Sequence, residues 1–130
     1  MVIDTSAALA ILLDEPEHDR LTESIARDAT RLISSVSRLE TGIVIESRRG
    51  AGGRKDFEAM LQAAGIQEAD FTAAQASLAL EAWRRYGKGN HPARLNFGDC
   101  CVYALCKATG ESLLFKGDDF SKTDLKIVGA

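Results

Sequence analysis

The sequence predicts a three-layer α/β/α domain built on a central parallel sheet, and three observations carry that expectation. Short apolar runs, Val2-Ile3, Leu32-Ile33 and Leu113-Leu114-Phe115, alternate with longer stretches of helical periodicity. Alternation of that kind puts strands in parallel, with helices covering both faces of the sheet. The chain has 130 residues, enough for one domain over residues 1–130 and too few for two ordinary ones.

The elements follow in order. Val2-Ile3 runs into a helix starting near Thr5 or Ser6 and stopped before Pro16. Glu17 to Arg27 forms a second helix, with Leu21 and Ile25 at i, i+4 spacing. After the strand at Leu32-Ile33, Ser37-Arg38-Leu39-Glu40 matches a capping box, and Val36, Leu39 and Ile43 form the apolar stripe of the helix it opens. Gly50-Ala51-Gly52-Gly53 interrupts the pattern, and a further helix over about 55–64 ends at Gly65. A weak strand at Ile66-Gln67 precedes a second box, Thr72-Ala73-Ala74-Gln75, and a long helix to about Tyr86. Asn96 caps a helix that runs through Cys100 to Ala108 and closes at Gly110. Ile127-Val128 supplies a last short strand.

Composition narrows the classes. Sixteen basic against 19 acidic residues give a formal charge of −3. Eight of the basic residues, and no acid, fall in residues 48–55 and 84–94. The rest of the chain is left with eight bases against its 19 acids, so a local positive field is available on an acidic protein. Two solvated loops explain the same pattern. Cys100, Cys101 and Cys106 are an odd number crowded into one stretch, which suits neither a disulfide framework nor a zinc site. No basic and apolar leader opens the chain, and no window approaches the roughly 20 apolar residues of a membrane span. A reduced, cytoplasmic protein is expected.

Carboxylates punctuate the element boundaries. Asp4 ends the first strand, Glu40 and Asp99 stand in first turns of helices, and Asp118 and Asp119 follow the strand 113–115. In a parallel sheet, sites gather beyond the carboxyl ends of the strands, so several of these acids are brought to one edge. Each has a local explanation as well. Asp4 can cap a helix, Glu40 can complete a capping box, and Asp99 suits the positive end of its helix. Together, however, they repel one another unless a cation joins them. All-oxygen ligands suit Mg²⁺ or Mn²⁺, whereas zinc wants nitrogen or sulfur donors that the isolated His18 and His91 do not supply. A carboxylate-held cation that retains waters lowers a water's pKa and shields phosphate charge.

The opening VIDTSA, the acid of SRLET, the NFGDC segment and LLFKGDDF with its downstream Thr123-Asp124 together resemble the PIN domain, and within it the VapC toxins of type II toxin–antitoxin pairs. The resemblance spans essentially the whole chain. It implies a Mg²⁺-dependent ribonuclease, with Mn²⁺ as a substitute, cleaving tRNA or rRNA and neutralised by a cognate VapB-type antitoxin. A homodimer, or a heterotetramer with the antitoxin, is implied too. Carried over by position, the resemblance puts the catalytic set on Asp4, Ser6, Glu40, Asp99 and either Asp118 or Asp119. Asp4 and Asp99 are the expected direct metal ligands, with Glu40 and the fourth acid binding a second ion or orienting the attacking water. Many relatives carry Thr-Arg-Asp or Thr-Arg-Asn where this chain has Phe115-Lys116-Gly117-Asp118-Asp119, so spacing leaves the fourth acid open between the last two.

Thr5 and Ser6 are read in two ways, as N-cap residues or as groups holding a ligand or a phosphate oxygen. Arg84, Arg85, Lys88, His91 and Arg94 are expected to engage the RNA backbone, with Tyr86 or Phe97 stacking on a base. Trp83 and Phe57 are expected in core or interface packing. Cys100 and Cys101 are expected to be buried beside the site, lacking a partner base that would make either a nucleophile. The alternative is a catalytically silent scaffold of the same fold that binds metal and partners. An aspartyl phosphatase is disfavoured because its chemistry wants a second aspartate where Ser6 stands, and a receiver-type switch because a mid-chain acceptor aspartate is missing.

Overall fold

The computed structural model describes residues 1–129; the last residue of the expected domain, Ala130, lies outside the described residues. Four strands and five helices follow one another as β1 (Val2–Ile3), α1 (Thr5–Leu12), α2 (His18–Arg27), β2 (Leu32–Ser34), α3 (Ser35–Ala63), β3 (Gln67–Ala69), α4 (Ala73–Tyr86), α5 (Phe97–Thr109) and β4 (Leu113–Leu114). A 3₁₀ turn, Asp119–Lys122, closes the series. The strands form one sheet in the order β3-β2-β1-β4, and every pairing is parallel, with Val2 opposite Leu32 on one side and Leu113 on the other. The expected three-layer α/β/α class is therefore the observed one.

Successive side chains of a strand point to opposite faces, so two-residue strands divide their residues between two cores. Val2 and Leu113 join Ala82, Leu95, Val102 and Leu105 in a core formed with α4 and α5. Ile3, Ile33 and Leu114 join Ala7, Leu21, Ile25 and Ile45 in a second core formed with α1, α2 and α3. Because the strands are parallel, the residues that leave them at their carboxyl ends, Asp4, Ser35 and Phe115, emerge along one edge of the sheet. That edge is where the site lies.

Several local expectations hold. Asn96 and Asp99 form a reciprocal capping box at the start of α5, Thr72 caps α4, and Gly110 closes α5 with a φ of 75°. The glycine-rich segment breaks α3 without ending it: only Gly50 leaves helical geometry, with φ 59° and ψ −143°, a region open to glycine and strained for other residues. Ile127 makes a single parallel bridge to Leu113 in place of a full strand.

The start of α3 differs from expectation. Ser34, not Ser37, is the N-cap, its side chain accepting from the Val36 N–H, because β2 runs on to Ser34 in register with Ala69 and the helix begins at once. Ser37 is buried one turn inside. The stripe of Leu39 and Ile43 faces outward, 65% and 58% exposed, while Ser37, Thr41 and Ile45 face the core. Helical periodicity marks a face but not which face a neighbour covers, and here α1 covers the one carrying two hydroxyls.

The two basic segments also part company. Arg49 donates to the Leu12 carbonyl at the C-terminus of α1 and Arg54 pairs with Glu46, so 48–55 sits at the opposite end of α1 from Asp4. Among the described residues no helix is long and apolar enough to cross a membrane.

An acidic site at the carboxyl edge of the sheet

Asp4 is the N-cap of α1 and lies 6% exposed, so it is both a capping residue and a buried carboxylate. Its Oδ2 accepts from the Ser6 N–H at 3.0 Å and from the Ser6 hydroxyl at 2.5 Å. Burial raises its pKa and those hydrogen bonds oppose the rise. The Ser6 hydroxyl oxygen in turn accepts from the Lys116 N–H at 2.9 Å, which ties α1 to the loop after β4.

Glu40 reaches the same place from the second turn of α3. Its Oε1 accepts from the Thr5 hydroxyl at 3.0 Å. Its pKa is raised, first by burial and then by the charge of Asp4. Thr5 and Ser6 are not N-cap residues, since Asp4 takes that place and both lie inside the first turn of α1; each instead holds a neighbouring carboxylate. Gly98 forms the floor beneath Glu40: an added β-carbon there would meet Oε2 at 2.3 Å.

Asp99 completes the meeting. Its Oδ2 accepts from the Asn96 N–H at 3.1 Å, so it caps its own helix as well. Its pKa is pushed up to about 6, mainly by burial, with the charges of Asp4, Asp119 and Glu40 adding to the rise. Four carboxylates from four separate segments therefore share one field, and Asp119 belongs to the set that acts on Asp99. Asp118 instead offers its carbonyl to Ser121 at the start of the 3₁₀ turn.

This donor chemistry fits a hard divalent cation. Oxygens of like charge are gathered where water is scarce, and a cation offsets both the burial that raises Asp99 and the repulsion that adds to it. Among the described residues no three Asp, Glu, His or Cys side chains close into a ready-made cage.

The residues expected to contact RNA do not act alike. Arg84, Lys88 and Arg94 are exposed, and among the described residues none pairs with an acid. Arg85 is committed elsewhere: it donates to the Tyr86 hydroxyl at 2.9 Å, lies 4.8 Å from the centre of that ring and stands 3.7 Å from Asp124. His91 accepts from the Ala93 N–H and packs edge-on against Tyr86. Tyr86 is buried, so it does not stack on a base, whereas Phe97 is 80% exposed. Phe57 is in the core as expected, but Trp83 is 47% exposed and lines, with Phe71, Leu80, Lys88 and Phe97, an apolar groove of about 450 Å³ beside the first turn of α5. Cys100 and Cys101 are buried, and burial raises both thiols, Cys100 to about 11, which keeps them protonated.

Sequence reading missed Gly98 and Lys116. Both lie inside segments that carry the resemblance, NFGDC and LLFKGDDF, but no local signal gave either a role of its own.

Comparison with known proteins places this arrangement. A family model of the PIN domain matches residues 1–126. The chain is 50% identical over 128 residues to a protein named ribonuclease VapC from Mycolicibacterium smegmatis, covering 98% of this chain and 99% of that one. It is 47% identical, with 98% of each chain covered, to ribonuclease VapC30 of Mycobacterium tuberculosis. Among solved structures, the fold is shared with Mycobacterium tuberculosis VapC20, described as a sarcin–ricin loop cleaving toxin, at a TM-score of 0.75, 20% identity and 95% coverage of both chains. It is shared also with VapBC2 of Rickettsia felis bound to a promoter DNA fragment, at a TM-score of 0.78, 15% identity and coverage of 97% and 94%.

Proposed function

The chain belongs to the PIN-domain family, among the VapC ribonucleases, and we propose that it is a toxin that cleaves RNA with a divalent cation held by Asp4 and Asp99. The single observation that carries the reading is the gathering of Asp4, Glu40 and Asp119 around a buried Asp99, whose pKa burial pushes up to about 6 with the three neighbouring charges adding to the rise. The same membership supports a single catalytic domain over the whole chain, a cytoplasmic location and tRNA or rRNA as substrate.

When bound, Mg²⁺ or Mn²⁺ shields the phosphate charge and acidifies water at the site. The protein's own groups do the rest. Ser6 occupies Asp4 Oδ2 with two hydrogen bonds and so orients that carboxylate. Thr5 donates to Glu40 Oε1 and restrains that carboxylate, which would serve as base for the attacking water, with Asp119 as the fourth acid. Arg84, Lys88 and Arg94 hold the RNA backbone through charge, which gives affinity without sequence readout. Phe97, exposed two residues before Asp99, offers a face on which an unpaired base stacks.

The partners are a VapB-type antitoxin, supported by the VapBC2 complex among the structural relatives, and a second copy of this chain. The homodimer is supported by the exposure of Leu80 and Trp83 along one groove, since exposed apolar area of this kind marks an interaction surface.

The test is cleavage of total cellular RNA by purified protein with Mg²⁺, Mn²⁺ or EDTA. Asp4→Ala and Asp99→Ala are expected to stay folded and lose cleavage, as is the wild type in EDTA. Cleavage that survives both substitutions, or survives EDTA, refutes the proposal. Mn²⁺ binding with RNA left intact identifies the silent scaffold instead.

A further inference from the structure

The loop that carries Asp118 and Asp119 is held at both ends. Behind it, Phe120 is 3% exposed and meets Phe115 edge-on at 5.3 Å. In front of it, Lys116 makes contacts at both its backbone and its side chain. The Lys116 N–H donates to the Ser6 hydroxyl, which donates in turn to Asp4 Oδ2. Its ammonium bonds to Glu15 and stands 3.7 Å from Glu17, in the turn between α1 and α2. That turn is rigid: the Glu15 N–H donates to the Ala10 carbonyl at 2.9 Å, and the Glu15 carbonyl accepts from the His18 N–H at 2.9 Å. Only Gly117, Asp118 and Asp119 lie between the two anchors. A segment so short between fixed points has little freedom of its own.

We propose that Lys116 is a positioning residue: its clamp on Glu15 and Glu17 sets the place of the acidic loop against α1, and through it the affinity of the site for its cation. The inference rests on the metal reading above. The charge of Lys116 is taken up by Glu15 and Glu17, so it does not neutralise the carboxylate cluster, and its effect on the cation is geometric.

Isothermal titration with Mn²⁺ alone, without RNA, tests this on the wild type, Lys116→Met, Lys116→Arg, Glu15→Gln and the double variant Glu15→Gln/Lys116→Met. Lys116→Met and Glu15→Gln are each expected to weaken Mn²⁺ binding about two- to fivefold, the range set by a half-exposed ion pair. The double variant is expected to be no weaker than Lys116→Met alone, because both changes cut the same clamp. Lys116→Arg is expected to bind as the wild type does, and melting of all the metal-free proteins to shift by no more than a few degrees. Wild-type affinity in both Lys116→Met and Glu15→Gln overturns this inference and leaves the metal reading standing. Loss in Lys116→Met without loss in Glu15→Gln overturns the clamp, since the lysine then acts without its partner. A wild type that binds no Mn²⁺ overturns the metal reading and this inference with it.

Discussion

The α-carbon of Gly98 faces the carboxylate of Glu40 so closely that a β-carbon at residue 98 would lie 2.3 Å from Oε2 and 2.8 Å from Cδ and Oε1. The contact joins the second turn of α3 to the first turn of α5, and Thr5 completes it from α1 through its hydrogen bond to Oε1. Glu40 is therefore wedged between a hydroxyl donor and a bare backbone, which fixes its place beside Asp99.

Gly98→Ala is expected to push Glu40 off this seat. Overpacking a tight site costs about 1–3 kcal/mol, and a misplacement of about 1 Å in a catalytic group costs up to about 100-fold in rate. Chemical denaturation and RNA cleavage by the same preparation measure the two. Undiminished cleavage would show that the seat of Glu40 does not matter.

Asp99→Asn is expected to abolish cleavage while stabilising the metal-free protein at pH 7. The asparagine oxygen can still accept from the Asn96 N–H, so the cap survives while the repelled charge disappears. Raising the Asp99 pKa from 3.8 to about 6 makes its ionised form costly, by about 1–2 kcal/mol once the access of water is allowed for. Unfolding in EDTA checks this, and a less stable variant contradicts the cost of holding a buried charge among like charges.

The same shift dictates a pH dependence. Folded Asp99 binds its proton more tightly than the unfolded chain does, so its contribution is present below about pH 3.8 and is lost as pH rises to about 6. The stability of the wild type relative to Asp99→Asn, measured without metal, is expected to fall across that window and to level off above it. Asp4 and Glu40 are shifted upward as well and act in the same direction. Saturating Mn²⁺ is expected to reverse the loss, because a cation favours the ionised carboxylates.

Arg85 is expected to separate from its basic neighbours in RNA binding. Arg84→Ala, Lys88→Ala and Arg94→Ala should each lower the salt dependence of binding to single-stranded RNA by about 0.7 in the log–log slope. Arg85→Ala should leave that slope unchanged and cost about 0.5–1 kcal/mol of stability through its lost contacts to Tyr86 and Asp124. Binding to an Asp99→Asn background at several KCl concentrations tells them apart. An equal loss of slope for Arg85→Ala would place it on the RNA after all.

Much of the architecture was legible because it is local. Asn96 is legible as a cap from the letters alone, and in the structure Asp99, three residues on, caps it in return. Leu21 and Ile25 share a face by helical spacing alone and are both buried. The failures have a common cause. Ser34, Ser35 and Ser37 are equivalent as caps until the pairing of β2 with β3 shows where the strand stops. Leu39 and Ile43 form as good a stripe as Thr41 and Ile45, and only the packing of α1 against α3 decides which is covered.

The sequence by itself determined the fold class and which residues carry the acids, since the alternation of strands with helices and the short motifs are encoded within a few residues of chain. The tertiary structure alone decided that Asp119 joins the field on Asp99, that Thr5 and Gly98 seat Glu40, and that Arg85 turns toward Asp124. Those facts depend on distance, burial and the charge of groups far away in the chain. Burial and Coulomb interaction act through space, and letter order does not state which segments will share that space.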